Sequence, residues 1–433
     1  MRRFFQNAKV AKQCHIYTML NGAAKQRHLS FHTPGHKVSA WDITELSFSD
    51  CLAHPTDCLL RARQDVENIL GAAACEFLTD GSTSGVYTLL YLLKEKGVNR
   101  LAVSPFSHVS VFRACALFGI KPVLIAGQTD GMRQPTGEQM RDALARADGL
   151  LLTSPNYYGN VAELHTARQL CDECGKPLVI DGAHGSHLHG DKERYAGYFA
   201  DGWVDGVHKS SPAMTQGAIV CVGRKDWVDD LRRITPLFRT TSPSYPVLAS
   251  VEYAVKYPKN EVLAREATLF LQSDGNRLYF GGDWTKICCL FGKRANAAQA
   301  WFEKRGIYPE FCDGRYLLFY LSSATGLSCF RTLKKAIRRA FTLFPCDGET
   351  LSRVSDHACG IVGETEWIET EKAVGRVAAK DCGLFPPCTP LVVAGSVFDE
   401  DAVRRIKEGK HTFGVEDGKV CVYKGETKCN GEN

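Results

Sequence analysis

Short apolar segments alternate with segments of helical periodicity through the first half of the chain, and this alternation constrains the fold more than any other feature. Alternating strands and helices predict an α/β fold whose sheet is mostly parallel, because parallel strands need crossover connections between them. The predicted strands are 76–79, 101–103, 122–125, 149–153, 177–180, 202–207 and 218–222. The predicted helices are 61–74, 137–147 and 163–174, with one more after Gly85 and one ending at Phe118.

The chain has 433 residues, enough for two or three domains, and its pattern changes near residue 260. We expect an N-terminal helical segment at 1–30, a large domain at 31–260 and a smaller α+β domain at 261–433. A helix is predicted at 7–26 in the first segment. In the smaller domain the predicted strands are 284–291, 307–310 and 316–322, the predicted helices are 295–305, 331–344 and 399–408, and a predicted hairpin joins 412–415 to 420–423.

Charge and cysteine content argue against several classes of function. Lysine and arginine exceed the acids by 53 − 48 = 5, a mild excess spread along the chain, so we expect no nucleic-acid partner. No apolar run approaches the ~18 residues of a membrane helix, and the chain starts without an apolar signal core. We therefore expect a cytoplasmic protein with reduced thiols. The single CxxC, Cys171-Asp-Glu-Cys174, lacks a second ligand pair, so no metal site is predicted.

Polar motifs follow the predicted strands at the points where the strands end. These motifs are Gly81-Ser-Thr-Ser-Gly85, His108, Pro155-Asn-Tyr-Tyr158, Asp181-Gly-Ala-His184 and Lys209. Ligands of parallel α/β sheets bind beyond the carboxyl ends of the strands. The sequence therefore predicts that all five motifs meet at one edge of the sheet and form a ligand site there.

Three of these motifs together supply what pyridoxal phosphate needs. Lys209 is an amine that can carry the cofactor's aldehyde, and Asp181 is an acid that can keep its pyridine nitrogen protonated. The hydroxylic residues after Gly81 begin a helix, whose N-terminus favours a phosphate. Each motif alone has a commoner explanation: a surface lysine, an acid in a turn or helix cap, or a plain Ser/Thr cap.

A further motif, Phe31-His-Thr-Pro-Gly-His-Lys37 with Asp42-Ile-Thr-Glu45 after it, gives these pieces a common context. Together with Gly81–Gly85, Ser154–Gly159, Asp181–His187, His208-Lys209 and Thr241–Tyr245, it resembles the Orn/Lys/Arg decarboxylases. These are pyridoxal-phosphate enzymes with the aspartate-aminotransferase-like fold (fold type I). The resemblance is closest to short members that lack the N-terminal wing domain, and it runs from about Tyr17 to 386–390.

The resemblance implies roles around the cofactor ring. Lys209 carries the aldehyde, and Asp181 pairs with the pyridine nitrogen. His108 stacks on the ring, and His184 lies near the phenolic oxygen. His208 is the candidate for returning a proton to Cα after CO₂ leaves.

The resemblance also implies a phosphate site and an assembly. The phosphate is held by Ser82, Thr83 and Ser84, with Ser242 or Ser244 reaching it from a partner subunit. We therefore expect a homodimer or a higher homo-oligomer that acts on a small amino acid.

Several positions depart from the family's pattern. Gly206 stands where the family usually has Ser or Thr, which removes one phosphate hydroxyl. Gly182 replaces a frequent Glu or Ser, and Val109 follows His108 where Lys is common. In the tail, the family's Pro-Pro-Gly-Ile-Pro reads Pro386-Pro-Cys-Thr-Pro390, and a later Gly-Glu reads Gly395-Ser396. The missing acid belongs to the substrate-recognition region.

The leading interpretation is a decarboxylase of arginine, lysine or ornithine that produces an amine or polyamine precursor. The tail departures leave two alternatives open. One is a pyridoxal-phosphate enzyme of another reaction type at Cα, such as an aminotransferase or lyase. The other is a catalytically weakened family member that acts as a subunit or regulator. Glu310 is conceivable as a pocket acid, although a solvated strand-end glutamate is the commoner interpretation.

Overall fold

The computed structural model describes residues 4–26, 29–126, 132–346, 364–386, 388–409 and 411–424. Within these residues the helices are α1 (Ala8–Ala11), α2 (His15–Ala23), α3 (Cys58–Leu70), α4 (Ser82–Glu95), α5 (Val109–Phe118), α6 (Gly137–Leu144), α7 (Leu164–Cys174), α8 (Val207–Ser210), α9 (Val228–Phe238), α10 (Tyr245–Val255), α11 (Glu261–Leu271), α12 (Ala295–Glu303), α13 (Leu327–Leu343) and α14 (Glu400–Glu408).

The strands are β1 (Ala74–Leu78), β2 (Arg100–Val103), β3 (Lys121–Leu124), β4 (Gly149–Thr153), β5 (Leu178–Asp181), β6 (Gly202–Asp205), β7 (Ala218–Val222), β8 (Leu278–Tyr279), β9 (Lys286–Leu290), β10 (Phe311–Cys312), β11 (Tyr316–Tyr320), β12 (Thr365–Glu369), β13 (Cys382–Leu384), β14 (Pro390–Val392), β15 (Thr412–Phe413), β16 (Val415–Glu416) and β17 (Lys419–Tyr423).

A seven-stranded sheet organises the first half of the molecule, in the order β1-β7-β6-β5-β4-β2-β3. The neighbours from β6 to β3 pair in parallel, whereas β7 runs antiparallel to both β6 and β1. Strand β1 therefore points the same way as the parallel strands. The predicted α/β class with a mostly parallel sheet is confirmed, and the carboxyl ends of β1, β2, β4, β5 and β6 share one edge.

Strands 149–153 and 218–222 have the predicted bounds, and each is buried along its whole length. The strand predicted at 202–207 is shorter: β6 ends at Asp205, and the short helix α8 begins at Val207. Lys209 consequently projects from a helical turn beyond the sheet edge. The helix predicted at 61–74 is shifted, because Gly71 ends α3 in the left-handed region (φ 67°).

The N-terminal helix predicted at 7–26 is two helices, α1 and α2. A carboxylate far away in sequence accounts for the break. Glu252 of α10 is fully buried and accepts the backbone N–H groups of His15 (2.7 Å) and Ile16 (2.9 Å) at the start of α2. Lys256 neutralises this acid at 2.8 Å. The N-terminal segment is thereby attached to the large domain by charge-assisted hydrogen bonds.

Helix α4 packs closely on the sheet because Gly85 has no side chain. A Cβ at this position would lie 2.7 Å from Cγ2 of Val204 in β6. On strand β1, the buried Glu76 is flanked by two arginines, Arg63 at 2.9 Å and Arg239 at 2.8 Å. The charged residue is tolerated in a buried strand because both of its carboxylate oxygens are paired.

The second half contains a four-stranded sheet, β10-β11-β9-β8, and two three-stranded sheets. The strand predicted at 307–310 is wrong, since pairing begins only at Phe311, and α11 was not anticipated. The predicted tail hairpin is divided: β16 pairs with β17, but β15 pairs with β13 in another sheet. Residues 261–344 and the tail have separate apolar cores. Across the described ranges, no helix combines the length and apolar character needed to cross a bilayer.

Candidate active site

A cavity of about 180 Å³ lies at the carboxyl edge of the main sheet. Residues from all five predicted motifs line it, so the structure brings together the parts that the topology argument placed at this edge. Its lining residues are Gly81, Ser82, Thr83, Val86, Phe106, His108, Ser110, Thr153, Tyr157, Asp181, Ala183, His184, His208, Lys209 and Thr389.

Lys209 lies in this cavity on α8, where its Nζ is 3.1 Å from Nε2 of His184. Burial lowers the pKa of Lys209, the negative charge of Asp181 opposes that change, and the nearby cation Lys286 adds to it. A lowered pKa favours the neutral amine, which is the form that attacks a carbonyl.

Asp181 ends β5 and is only 4% exposed. Its Oδ1 accepts the backbone N–H of Ala183 at 3.1 Å. Burial raises the pKa of this carboxyl, while Lys209 and the Ala183 N–H act in the opposite direction. A buried acid of this kind is stabilised as a carboxylate when a cation faces it, and a protonated pyridine nitrogen is such a cation.

The N-terminus of α4 provides an anion site in the cavity wall. Gly81 occupies the N-cap position with φ 80°, and no side chain caps the helix. The first backbone N–H groups, at Ser82 and Thr83, therefore keep their capacity for an anion. Ser84 differs from them: it is buried, and its hydroxyl donates to the carbonyl of Gly81 at 3.0 Å. Its hydroxyl is engaged within the helix turn.

Three imidazoles surround Lys209. His108 is the N-cap of α5, where its Nδ1 accepts the backbone N–H of Ser110 at 3.1 Å. Burial, with lesser effects of Lys209 and Arg113, lowers the pKa of His108 to about 4. His208 pairs through Nδ1 with the carbonyl of Gly217 at 2.9 Å, and burial lowers its pKa. Both rings are therefore neutral near pH 7.

His184 is the third imidazole, and its Nδ1 is buried without a hydrogen-bond partner among the described residues. Its ring lies edge-on to Tyr157 and Tyr320, at centroid distances of 5.2 and 5.8 Å. Burial, followed by Lys209 and Lys286, lowers the pKa of His184 well below its usual range. A buried nitrogen with no partner points to a polar ligand group nearby.

These features fit pyridoxal phosphate. Lys209 meets the need for an amine, Asp181 for a buried acid and the α4 N-terminus for a phosphate site, and the unpaired Nδ1 of His184 could meet the ring oxygen. The two predicted partner-subunit residues lie elsewhere. Ser242 is exposed, and Ser244 is the N-cap of α10; neither lines the cavity of its own chain.

The tail contributes residues to the cavity wall that sequence reasoning missed. Thr389 lines the cavity, and Cys388 next to it accepts the backbone N–H of Val109 at 2.8 Å. Cys388 has a φ of 62°, a left-handed conformation that favours glycine, and it stands where the family has glycine. The departure in Pro386–Pro390 was visible in the sequence, but its position beside α5 was not.

A buried ion cluster behind the cavity was also missed. Lys286 is 1% exposed; its Nζ donates to Thr285 Oγ1 at 2.9 Å and lies 3.3 Å from Asp283 Oδ2. Asp283 also pairs with His187 at 2.8 Å. The Nζ of Lys286 is 4.3 Å from the ring centroid of Tyr320, which faces His184. A lone lysine in the apolar run 284–291 was the available signal.

Gly206 has a steric reason for being glycine. A Cβ there would lie 2.6 Å from the backbone carbonyl oxygen of Ala183, which follows Asp181 closely. A side chain would thus push α8, and with it Lys209, away from β5.

We expect Gly206→Ser to lower the free energy of unfolding by about 1–3 kcal/mol, because backbone overpacking is not relieved by rotating a side chain. Pyridoxal phosphate should also bind more weakly, despite the added hydroxyl. Thermal unfolding and a cofactor titration by absorbance measure the two effects. Gly275→Ser is the matched control, because its Cβ would meet no atom within 4 Å. Tighter cofactor binding in Gly206→Ser would contradict the steric argument.

The lowered pKa of His108 predicts acid sensitivity. In the unfolded chain, this histidine takes up a proton near pH ~6.5, whereas in the folded chain it does so only near pH about 4. Between these two pH values, the unfolded state is protonated at this position and the folded state is not. Stability should therefore fall as the pH falls through this window. His108→Asn keeps an acceptor for the α5 cap and removes the titration, so its unfolding midpoint in denaturant should fall less, in protein without added cofactor. Parallel pH curves for the two proteins would refute this.

Comparisons with known proteins identify the family of this chain. A model of the family "Orn/Lys/Arg decarboxylase, major domain" matches residues 38–273, more than half of the chain. The uncharacterised protein YaaO of Bacillus subtilis is 27% identical, over 90% of this chain and 93% of its own length. An arginine decarboxylase of Bacillus anthracis is 26% identical, over 91% and 92%.

Among solved structures, the constitutive lysine decarboxylase of Escherichia coli superposes with a TM-score of 0.71 at 18% identity, covering 95% of this chain and 82% of that one. At this identity the likeness shows the fold, which is the predicted fold type I. The chain belongs to the Orn/Lys/Arg decarboxylases, a family of pyridoxal-phosphate carboxy-lyases.

Proposed function

We propose that this chain binds pyridoxal phosphate at Lys209 and decarboxylates a basic amino acid, arginine, lysine or ornithine, to the corresponding amine. The observation that carries the proposal is the convergence of a partly buried amine, a buried acid and an uncapped helix N-terminus on one cavity. The Bacillus anthracis relative is named an arginine decarboxylase and the Escherichia coli structure a lysine decarboxylase, which supports a basic substrate.

When bound, pyridoxal phosphate supplies an electron sink for the pair of electrons released as CO₂ leaves. The residues of this chain would hold and orient the cofactor and transfer protons. Asp181 would hold a positive charge on the pyridine nitrogen, and the burial of this carboxylate, which is only 4% exposed, would strengthen that attraction. Ser82 and Thr83 orient the phosphate through the first N–H groups of α4. His108, beside the α4 N-terminus, provides a flat neutral ring against which the cofactor can stack.

Proton transfer falls to the imidazoles and to Lys209. His208 donates its Nδ1–H to the Gly217 carbonyl, so Nε2 of the neutral ring carries a lone pair and must first take up a proton before it can pass one to Cα. Lys209 and His184 are within hydrogen-bond distance, so a proton can pass between Nζ and Nε2 as the amine is freed and used again.

One observation, at Ser396, supports a second interpretation of the function. Ser396, where the family has an acid, is buried, and it does not line the cavity. Without that acid, the chain could perform another reaction at Cα, such as transamination or elimination, or could act as a subunit with little catalysis.

A product scan separates these readings. The protein, loaded with pyridoxal phosphate, is given arginine, lysine and ornithine separately, and products are identified by mass. We expect agmatine, cadaverine or putrescine from the wild type and none from Lys209→Ala, which should also lose the absorbance of covalently bound cofactor. Lys225→Ala, at an exposed lysine remote from the cavity, is the control. A keto acid or ammonia would indicate the second reaction type, and no product at all would favour the non-catalytic subunit.

We also propose a dimer in which Ser242 or Ser244 of one subunit reaches the phosphate of the other. Ser242 is exposed, and the motif segment at 29–38 exposes Leu29, Phe31 and Val38 by 80–91%, a set of apolar side chains suited to a subunit contact. Mixing unfolded Lys209→Ala and Ser242→Asp chains and refolding them together should restore part of the activity, since one site per mixed dimer is intact. An active monomer by light scattering would overturn this proposal.

A further inference from the structure

The cavity wall leads to a carboxylate that the proposed chemistry has not used. Tyr157 lines the cavity and packs edge-on against His184, which in turn contacts Lys209. The hydroxyl of the same tyrosine donates to Oε1 of Glu310 at 2.8 Å. One side chain therefore connects the centre of the cavity to an acid on its outer side.

In the described part of the chain, only one carboxylate oxygen of Glu310, Oε1, has a hydrogen-bond partner, and the other oxygen is free. It immediately precedes β10, where its backbone N–H donates to the carbonyl of Leu318 at 2.8 Å. Its carboxylate is solvent-exposed and makes no ion pair with any residue in the described ranges. The backbone is fixed by the sheet and Oε1 by Tyr157, so the free oxygen has a defined position for a cationic partner.

Neighbouring acids are already committed to other partners. Asp283 is buried with Lys286 and His187. Asp313, three residues after Glu310, accepts the hydroxyl of Tyr158 at 2.8 Å and the backbone N–H of Arg315 at 2.9 Å. Asp181 is buried at the base of the cavity. Of these acids, all within the described part of the chain, Glu310 is the one that remains available to a ligand.

Aromatic rings border the path between Lys209 and Glu310. Tyr157 packs against Phe311 and Tyr320, each at a centroid distance of 5.5 Å. Such a surface favours the methylene stem of a long side chain, with its charged end beyond the rings in water. An amino acid whose Cα is near Lys209 would extend a straight stem along this wall.

We propose that Glu310 receives the cationic end of the substrate's side chain, with Tyr157 orienting its carboxylate. The inference rests on the proposed function, and it assigns the recognition of a guanidinium or ammonium group to the second half of the chain. It also accounts for Ser396: the acid that the family has at that position is not needed if Glu310, just before β10, pairs with the substrate.

The test compares Glu310→Gln with wild type. The amide keeps the size of the side chain and an acceptor for Tyr157, but it removes the charge. With whichever basic amino acid the wild type decarboxylates, KM should rise about twofold to fivefold, as expected for loss of a solvent-exposed ion pair, and kcat should change less. The preference for arginine over citrulline, or for lysine over norleucine, should fall by a similar factor.

Two controls separate a specific role from a structural one. Glu303→Gln makes the same chemical change on α12, away from the cavity, and should leave KM unchanged. Tyr157→Phe should raise KM less than Glu310→Gln, because it removes only the group that orients the acid. Unchanged absorbance of bound cofactor in Glu310→Gln shows that the cofactor site is intact.

A calorimetric titration of each loaded protein with arginine and lysine measures binding independently of turnover. If the wild type forms an amine but Glu310→Gln keeps the wild-type KM and affinity, the inference fails and the proposed function stands. If the wild type forms no amine but binds a basic amino acid in a Glu310-dependent manner, the proposed function fails and the inference stands. Absence of both amine formation and binding overturns both.

Discussion

The burial of Lys209 opposite Asp181 is the constraint on which the rest of the site depends. Neither charge is stable alone in this cavity: burial lowers the pKa of the amine and raises that of the acid, and each charge partly restores the other. The surrounding groups do not disturb this balance between the charges of Lys209 and Asp181. The three imidazoles have lowered pKa values, so they add polarity without adding positive charge next to the lysine.

The next buried cation, Lys286, is kept apart from this pair by its own acid. Asp283 lies beside Lys286 and is also bonded to His187 and Thr285. The pKa of Asp283 is held well below its usual range, despite burial, by His187, then by Lys286 and by the hydrogen bond from Thr285. Asp283 therefore offsets much of the charge of Lys286, although this cation still lowers the pKa values of Lys209 and His184. What the ion cluster presents toward the cavity is the ring of Tyr320, whose hydroxyl donates to the backbone carbonyl of Tyr157 at 2.9 Å. A charged cluster thus acts on the site through the position of an aromatic ring.

Much of the large domain could be predicted from the sequence because its determinants are local. Strands such as β4 and β7 are buried on both faces, so they appear as continuous apolar runs, and glycines such as Gly119 and Gly175 mark helix ends by adopting positive φ. The division of the predicted N-terminal helix, by contrast, has a non-local cause. The break before α2 depends on Glu252, which is 236 residues from Ile16.

The residues of the site also fall into two groups: those that sequence patterns can place and those that they cannot. The residues proposed to hold the cofactor follow strand ends, and parallel topology alone brings strand ends together, so Asp181, His184, His208 and Lys209 could be grouped without coordinates. Ser84 shows the limit of that reasoning, because membership of the Ser-Thr-Ser run does not reveal that its hydroxyl turns back to Gly81. Thr389 and Glu310 come from segments that sequence pattern could not place beside the cavity.

Tyr157 contacts both parts of the site: the residues at the strand ends of the main sheet, and Glu310 from the second half of the chain. Its position explains why the main sheet and the second half must both be in place. Its turn is fixed from within by the buried Asn156, whose Oδ1 accepts the backbone N–H groups of Tyr158 and Asn160, both at 3.0 Å. The turn also packs against the second half: a Cβ on Gly159 would lie 2.8 Å from Cβ of Lys286. The backbone that carries Tyr157 is therefore shaped by the ion cluster on one side, while its ring contacts His184 and its hydroxyl meets Glu310. The residues proposed to hold the cofactor can be arranged by the main sheet alone, but the wall that would select a substrate requires the main sheet and the second half to be packed on each other.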